Sequence, residues 1–295
     1  MVEKEERPKS GCPMHSVAPS ELTYNDYLRV SDLLSLQVSK SDPPHHDELL
    51  FIIIHQAYEL WFKLILHEID NAIRFMNAGK VLRAQHFVNR SVQIVKLLVQ
   101  QIHILETMEP IEFLHFRDHL MPASGFQSTQ FREIEFAAGL KDEKYLEYFK
   151  NRPEFLDRLK QRLNQIDLRS AYYDLLRKQG FEMPEGAGDL ERRSTEGVPP
   201  NVIQAILPIY QTPSDHLELY LLSESLVEFD EYLGLWREHH VRVVERVIGS
   251  KQGTGGSQGV GYLRTTTSKK CFPSLWEVRT HLKFEPSSQG INVGL

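Results

Sequence analysis

Residues 46–70 read HDELLFIIIHQAYELWFKLILHEID, and this stretch decides the fold. Leu50, Ile53, Ala57, Leu60 and Leu64 recur at spacings of three and four, the period of one helix face. Phe51, Tyr58, Phe62 and Ile65 form a second apolar stripe beside the first. Two such stripes leave no polar face, so the pattern predicts a helix from about His45 to Asn77, buried all round and central.

Outward from it the spacing stays helical. A short helix is expected over about Thr23–Leu36 and an amphipathic one over about Val81–Thr107, with shorter helices to about residue 180. A last long helix is expected to open at Thr212-Pro213-Ser214-Asp215, with Thr as cap and Pro at the first helical position, and to run to about Ile248. No alternating Val/Ile/Thr run bounded by Asn-Gly turns supports a sheet. The fold class is therefore all-α, a helical bundle built around long buried helices. Residues 20–283 read as one domain between a polar N-terminal segment, 1–19, and a Ser/Pro/Gly-rich tail, 284–295, both expected to be flexible. Residues 183–200, MPEGAGDLERRSTEGVPP, read as a polar surface loop.

The 295 residues carry 34 Lys+Arg against 40 Asp+Glu, a net charge of -6 that does not favour a nucleic-acid partner. The two cysteines, Cys12 and Cys271, are far apart and support neither a disulfide framework nor a zinc finger, so a reducing cytoplasm is the expected location. The N-terminus lacks an apolar stretch of signal-peptide length, and the longest unbroken apolar run, Leu49–Ile54, is far short of the ~20 residues that span a bilayer. No membrane role is expected.

Histidines mark the candidate chemistry. In the last long helix the seam runs Leu222, Leu226, Phe229, Leu233, Trp236, His240, Val243, Val247. His240 thus holds a core position, where an imidazole needs a partner on each nitrogen: a hydrogen-bonded core residue and a metal ligand both satisfy this. His239, about 100° around the helix, is the competing ligand. His55 follows Phe51 by one turn and shares its face with Tyr58 and Phe62, as in a ligand pocket or a satisfied core. Arg117 follows Phe113 by four residues and offers either a carboxylate anchor beside an aromatic wall or an ion pair to a neighbouring helix. Ser124 and Gly125 add a hydroxyl and backbone amides near a helix start. Between Gly249 and Gly261 six of thirteen residues are glycine. That run follows a helix and not a strand, so it is no P-loop; it reads as a connector or as a mobile lid whose Thr254 meets a small polar substrate. Glu112 and His115 form a single Glu-x-x-His pair where a di-iron bundle needs two, and no HExxH or GxSxG motif is present. Cys12-Pro13 resembles short regulatory haem motifs, on two residues only.

Taken together, the blocks at 46–70, 116–136 (FRDHLMPASGFQSTQFREIEF) and 236–264 (WREHHVRVVERVIGSKQGTGGSQGVGYLR) resemble the tryptophan 2,3-dioxygenase family, in the family's order. LTYNDYL at 22–28 and FPSLWEVRTHL at 272–282 extend the likeness over nearly the whole chain between the tails. The resemblance implies a haem protein with one haem b per subunit, usually a homotetramer built as a dimer of dimers. It implies insertion of both atoms of O2 across the indole C2–C3 bond of L-tryptophan to give N-formyl-L-kynurenine, the first step of the kynurenine pathway. By motif, His240 and not His239 is the proximal iron ligand, and His55 is the distal histidine beside the indole. Phe51, Ile52, Ile53 and Ile54 fall with His55 in the substrate-binding block, and Phe113 falls where the family has Phe or Tyr. Arg117 pairs with the substrate carboxylate, Ser124 and Gly125 edge the haem and substrate region, and Thr254 contacts the amino-acid end. Tyr24 and Tyr27 match a pair that the family donates to a neighbouring subunit's site. Ser250 and Gln258, flanking the loop motif, depart from the family pattern and bear on lid closure. A haem sensor without turnover, and a colourless helical interaction module, are the competing readings.

Overall fold

The computed structural model describes residues 22–255 and 259–283, and these are helical with no strand among them. The chain divides into a short N-terminal unit, residues 1–38, and a large unit, residues 39–295. Cys12-Pro13, the segment 1–19, the tail 284–295 and Gln258 lie outside the described residues.

The single helix expected at 23–36 is two: α1 (Tyr24–Leu28) and α2 (Val30–Leu34). Arg29 separates them with a left-handed backbone, φ 50°, while Thr23 caps α1 by accepting from the Asp26 amide at 3.2 Å. Neither helix buries a residue, and Tyr24 and Tyr27 are 75% and 73% exposed.

The large unit is built on α3 (His46–Asn77), α4 (Val81–Leu105) and a third long helix, with α4 packed against both of the others. The start of α3 is fixed by Glu48, fully buried, whose carboxylate accepts from the amides of Lys40 at 2.6 Å and Ser41 at 3.1 Å. Burial pushes its pKa up, but these bonds and the Ser41 hydroxyl outweigh burial and hold it below the ordinary value. α3 is not buried all round: Leu49 and Ile53 are 47% exposed and Leu60 56%. These three lie on one stripe, so the helix has a buried side and an apolar side left exposed among the described residues. By length and composition α3 is also the one helix among the described residues able to cross a membrane. Its packing against α4 accounts for one side of that apolarity.

After α4 come α5 (Pro110–Arg117), α6 (Thr129–Ala138), α7 (Pro153–Asn164) and α8 (Leu168–Lys178). The polar stretch at 183–200 is not an open loop. It contains α9 (Ala187–Arg193), in which Glu191 is buried and accepts from Tyr173 Oη at 2.7 Å, the Ser274 amide at 2.7 Å and Arg169 Nη1 at 3.2 Å. Glu191 is thus polar because of a buried hydrogen-bond network, while Glu185, Asp189, Arg193, Thr195 and Glu196 of the same stretch are exposed. α10 (Pro200–Gln211) follows, then α11 (Leu217–Ile248). α11 starts later than Thr212: that hydroxyl donates back to the Pro208 carbonyl at 3.2 Å, and residues 212–215 form a turn closed by the Asp215 amide on the Thr212 carbonyl at 3.0 Å. α12 (Val260–Arg264) and α13 (Pro273–Glu277) complete the order. Asp230 of α11 anchors α13, accepting from the amides of Cys271 and Phe272 and from Trp276 Nε1 at 2.8, 3.1 and 3.0 Å.

Candidate active site

The expected seam of α11 is present, with Leu222, Leu226, Phe229, Leu233, Trp236, Val243 and Val247 all buried. His240 interrupts it because its ring borders a cavity of about 240 Å³ between α3, α5, α11 and the loop after α11. The imidazole stacks on Trp236, one turn earlier, with centroids 5.3 Å apart and planes 2° from parallel. Burial, and then His55, push its pKa down to about 4. At neutral pH the ring is therefore uncharged and keeps a lone pair for a metal ion. His239 points elsewhere, edge-on to His103 at 5.5 Å.

α3 supplies a second wall. Phe51, His55, Tyr58, Glu59 and Phe62 line the cavity, the set that a helix advancing 100° per residue brings to one side. The same rotation carries the residues between them away: Ile54 is buried in the core, Ile53 is turned outward, and Ile52 does not line the cavity. The motif block 51–55 therefore reaches the site through its two end residues. His55 sits 4.1 Å, centroid to centroid, from the Phe51 ring, and its Nδ1 lies 2.7 Å from the Phe51 carbonyl oxygen. A carbonyl can only accept, so Nδ1 carries the hydrogen and Nε2 keeps a lone pair. Burial lowers the His55 pKa from its ordinary value, which favours this neutral form.

Phe113 and Arg117 of α5 line the same cavity one turn apart. Arg117 Nη2 donates to the backbone carbonyl of Gln252, while its Nε is buried without a hydrogen-bond partner. Thr254 Oγ1 donates to the Ala123 carbonyl at 2.6 Å, so the described part of the glycine-rich loop is folded onto the segment before α6. Gly255 approaches that segment closely: a Cβ there would stand 2.6 Å from the Ser124 Cβ. Ser124 opens a short 3₁₀ turn, Gly125–Gln127, by accepting from the Phe126 amide at 3.3 Å. Gly125 borders the cavity with open space where a side chain would be.

Phe51, His55, Phe113, Arg117, Ser124, Gly125, His240 and Thr254 thus meet in one cavity, drawn from four separate parts of the sequence. Tyr24 and Tyr27 belong to the N-terminal unit, and the cavity just described is lined by residues of the large unit alone.

A charged part of the wall was not singled out from the sequence. Arg132, Glu135 and Arg237 line the cavity and are almost wholly buried. Glu135 accepts from Arg132 Nη1 on one oxygen and from Arg237 Nη2, at 2.9 Å, on the other. Both arginines keep a buried Nε without a partner. Glu59 bridges α3 to the start of α6, accepting from Ser128 Oγ at 2.6 Å and Gln130 Nε2 at 2.7 Å. The lining carries three arginines against two glutamates, one positive charge in excess inside a largely aromatic chamber. Its sequence signal was Arg132 beside the FQSTQF run and Arg237 beside Trp236, both inside the motif blocks.

The family model described as tryptophan 2,3-dioxygenase matches residues 9–189 and 191–282. The tryptophan 2,3-dioxygenase of Nocardioides sp. is 45% identical over 268 residues, covering 89% of this chain and 96% of that protein. The protein of the same name from Caulobacter vibrioides is 43% identical over 262 residues, 89% of this chain and 99% of its own length. That of Myxococcus xanthus is 41% identical over 264 residues, 90% and 91% of the two chains.

Proposed function

The chain belongs to the tryptophan 2,3-dioxygenase family, and from that premise we propose how its own residues cleave the pyrrole ring of L-tryptophan with O2 to give N-formyl-L-kynurenine. The observation that carries the assignment is the meeting of a neutral His240, a His55 of fixed tautomer and Arg117 around one cavity.

The donor set fits haem b. His240 supplies an uncharged imidazole deep in the cavity, and Trp236 holds its ring plane. The unpartnered Nε atoms of Arg132 and Arg237 are buried donors in the same wall, suited to the carboxylates a haem carries. When bound, haem supplies the iron that activates O2.

The protein's part is orientation. Arg117 retains a buried, unsatisfied Nε and a second Nη2 hydrogen beyond the one given to Gln252, a fork suited to the substrate carboxylate. His55 Nε2, with its lone pair held free by the Nδ1–H bond to Phe51, accepts the indole N–H and fixes the ring in its plane. It acts as an acceptor and not as an obligatory base, because an indole N–H is far less acidic than imidazolium. Phe51 and Phe113 exclude water around the ring, and the loop carrying Gln252 and Thr254 covers the amino-acid end.

The active assembly is a homotetramer, a dimer of dimers, in the cytoplasm, with Tyr24 and Tyr27 completing a neighbouring subunit's site. The exposed stripe Leu49, Ile53, Leu60 supports subunit packing, and so does an N-terminal unit whose helices bury nothing of their own. The deciding experiment is an absorption spectrum of the purified protein followed by assay of the reduced protein with L-tryptophan in air. A haem band and N-formylkynurenine are expected; a colourless protein, or haem without product, would overturn the proposal.

A further inference from the structure

Outside the cavity, α5 and the start of α3 bring three ligating side chains together. Pro110 opens α5 and sets Glu112 and His115 three residues apart, on one helix face. The first amide before that helix, Glu109 N, donates to Asp47 Oδ2 at 3.2 Å and so hangs α5 on the first turn of α3. His45 stands at the N-cap of α3, but its side chain makes no capping bond. Its ring lies against that of His115 instead, centroids 5.1 Å apart and planes 30° from parallel. One ligand atom from each of His45, Glu112 and His115 falls within 4.8 Å of the others.

The spacing is that of ligands and not of a finished hydrogen bond. His115 Nδ1 and Glu112 Oε1 are 3.6 Å apart, beyond hydrogen-bonding distance. Two ligand atoms on a tetrahedral ion with bonds of about 2.1 Å stand roughly 3.4 Å apart, so a small side-chain rotation seats an ion between them. A second histidine group, His103, Glu106 and His239, shows the contrast: there the imidazole and carboxylate already meet at 3.2 Å as hydrogen-bond partners. Glu112 and His115 side chains are 33% and 46% exposed, so an ion has access from solvent.

We propose that His45, Glu112 and His115 form a surface site for a borderline divalent transition ion of the Zn²⁺ class, with water as the fourth ligand. Two imidazoles and one carboxylate suit that class, whereas Ca²⁺ and Mg²⁺ require an all-oxygen shell. The bound ion bridges α3 to α5, the helix that carries Phe113 and Arg117, and so stiffens the element behind the carboxylate clamp. The site rests on donor geometry alone and stands or falls separately from the reaction assigned to the cavity.

The test uses the haem-loaded full chain, stripped with a chelator, dialysed against ZnCl₂ and analysed for bound zinc, with the thermal midpoint followed in parallel. Wild type should hold zinc at this site and gain thermal stability from it. His45→Ala and His115→Ala should each remove one equivalent, weakening binding by more than about tenfold, while His103→Ala leaves that equivalent in place. Glu112→Gln keeps the side-chain volume and should weaken binding likewise, which guards against a folding defect in either histidine variant. Absence of bound zinc in the wild type, or zinc content indifferent to His45 and His115, overturns the proposal; loss of the equivalent in His103→Ala does so too.

Discussion

Arg117→Lys is the substitution that most sharply separates substrate binding from scaffolding. In the structure Nη2 ties the Gln252 carbonyl of the loop and Nε has no partner, and under the proposed function the remaining guanidinium hydrogens go to the substrate carboxylate. Lysine keeps the charge but offers a single point in place of a planar fork. Losing one charge-assisted hydrogen bond to the substrate costs on the order of 2 kcal/mol, about thirtyfold in kcat/KM for L-tryptophan. The loop tie is lost for every substrate alike, so the comparison with tryptamine, which lacks the carboxylate, isolates the clamp. Tryptamine should be a poor substrate of the wild type and should lose much less on mutation. Both substrates are assayed with both proteins at matched haem content. Equal fold losses would refute the clamp and leave Arg117 as a support for the loop.

Four further outcomes are expected. His240→Ala should abolish haem incorporation while His239→Ala keeps a five-coordinate ferrous haem spectrum, and the reverse pattern would exchange their roles. Glu135→Ala strips the shared counter-charge from two buried guanidiniums and should lower unfolding free energy by about 4 kcal/mol in denaturant titration. His55, whose pKa burial holds below the ordinary 6.5, binds fewer protons folded than unfolded. Its contribution to stability is therefore full above about pH 6.5 and declines as pH falls below it, while the folded ring keeps its acceptor lone pair until pH reaches its lowered pKa. The acid limb of kcat/KM should accordingly lie under pH 6.5 and be absent in His55→Ala. Deleting residues 1–28 should raise the KM for tryptophan with haem retained, and unchanged kinetics in a truncated tetramer would remove Tyr24 and Tyr27 from the site.

How far the sequence carries the structure depends on whether a signal is local. The period of three and four along 46–77 and 217–248 located the two long helices because helix burial repeats every turn, and it placed His240 on the seam without any tertiary information. It overstated the burial of α3, since periodicity marks a face as apolar but not what covers it. Leu49, Ile53 and Leu60 are apolar and uncovered among the described residues. The Thr212-Pro213 start was misplaced for a related reason: Thr212 has the right composition for a cap, but its hydroxyl is already spent on the preceding helix. At 183–200 polar composition suggested solvent, yet Glu191 is polar because Arg169, Tyr173 and Ser274 converge on it from elsewhere in the chain.

The same logic explains what was hidden in the site. Arg132, Glu135 and Arg237 look in sequence like ordinary charges on helices, and Glu135 is three residues from Arg132, the spacing of a surface ion pair. Only the third partner, Arg237, about a hundred residues away, makes the group electrically unbalanced, and only burial makes that imbalance costly. A surplus guanidinium charge in a dry aromatic wall is tolerated when an anion completes it. In this cavity Arg237 lies on the same helix as His240, three residues before it, while the third arginine, Arg117, donates to the loop. Under the proposed function the wall offers two separate anion sites, Arg132 and Arg237 for the carboxylates of a haem and Arg117 for that of the substrate.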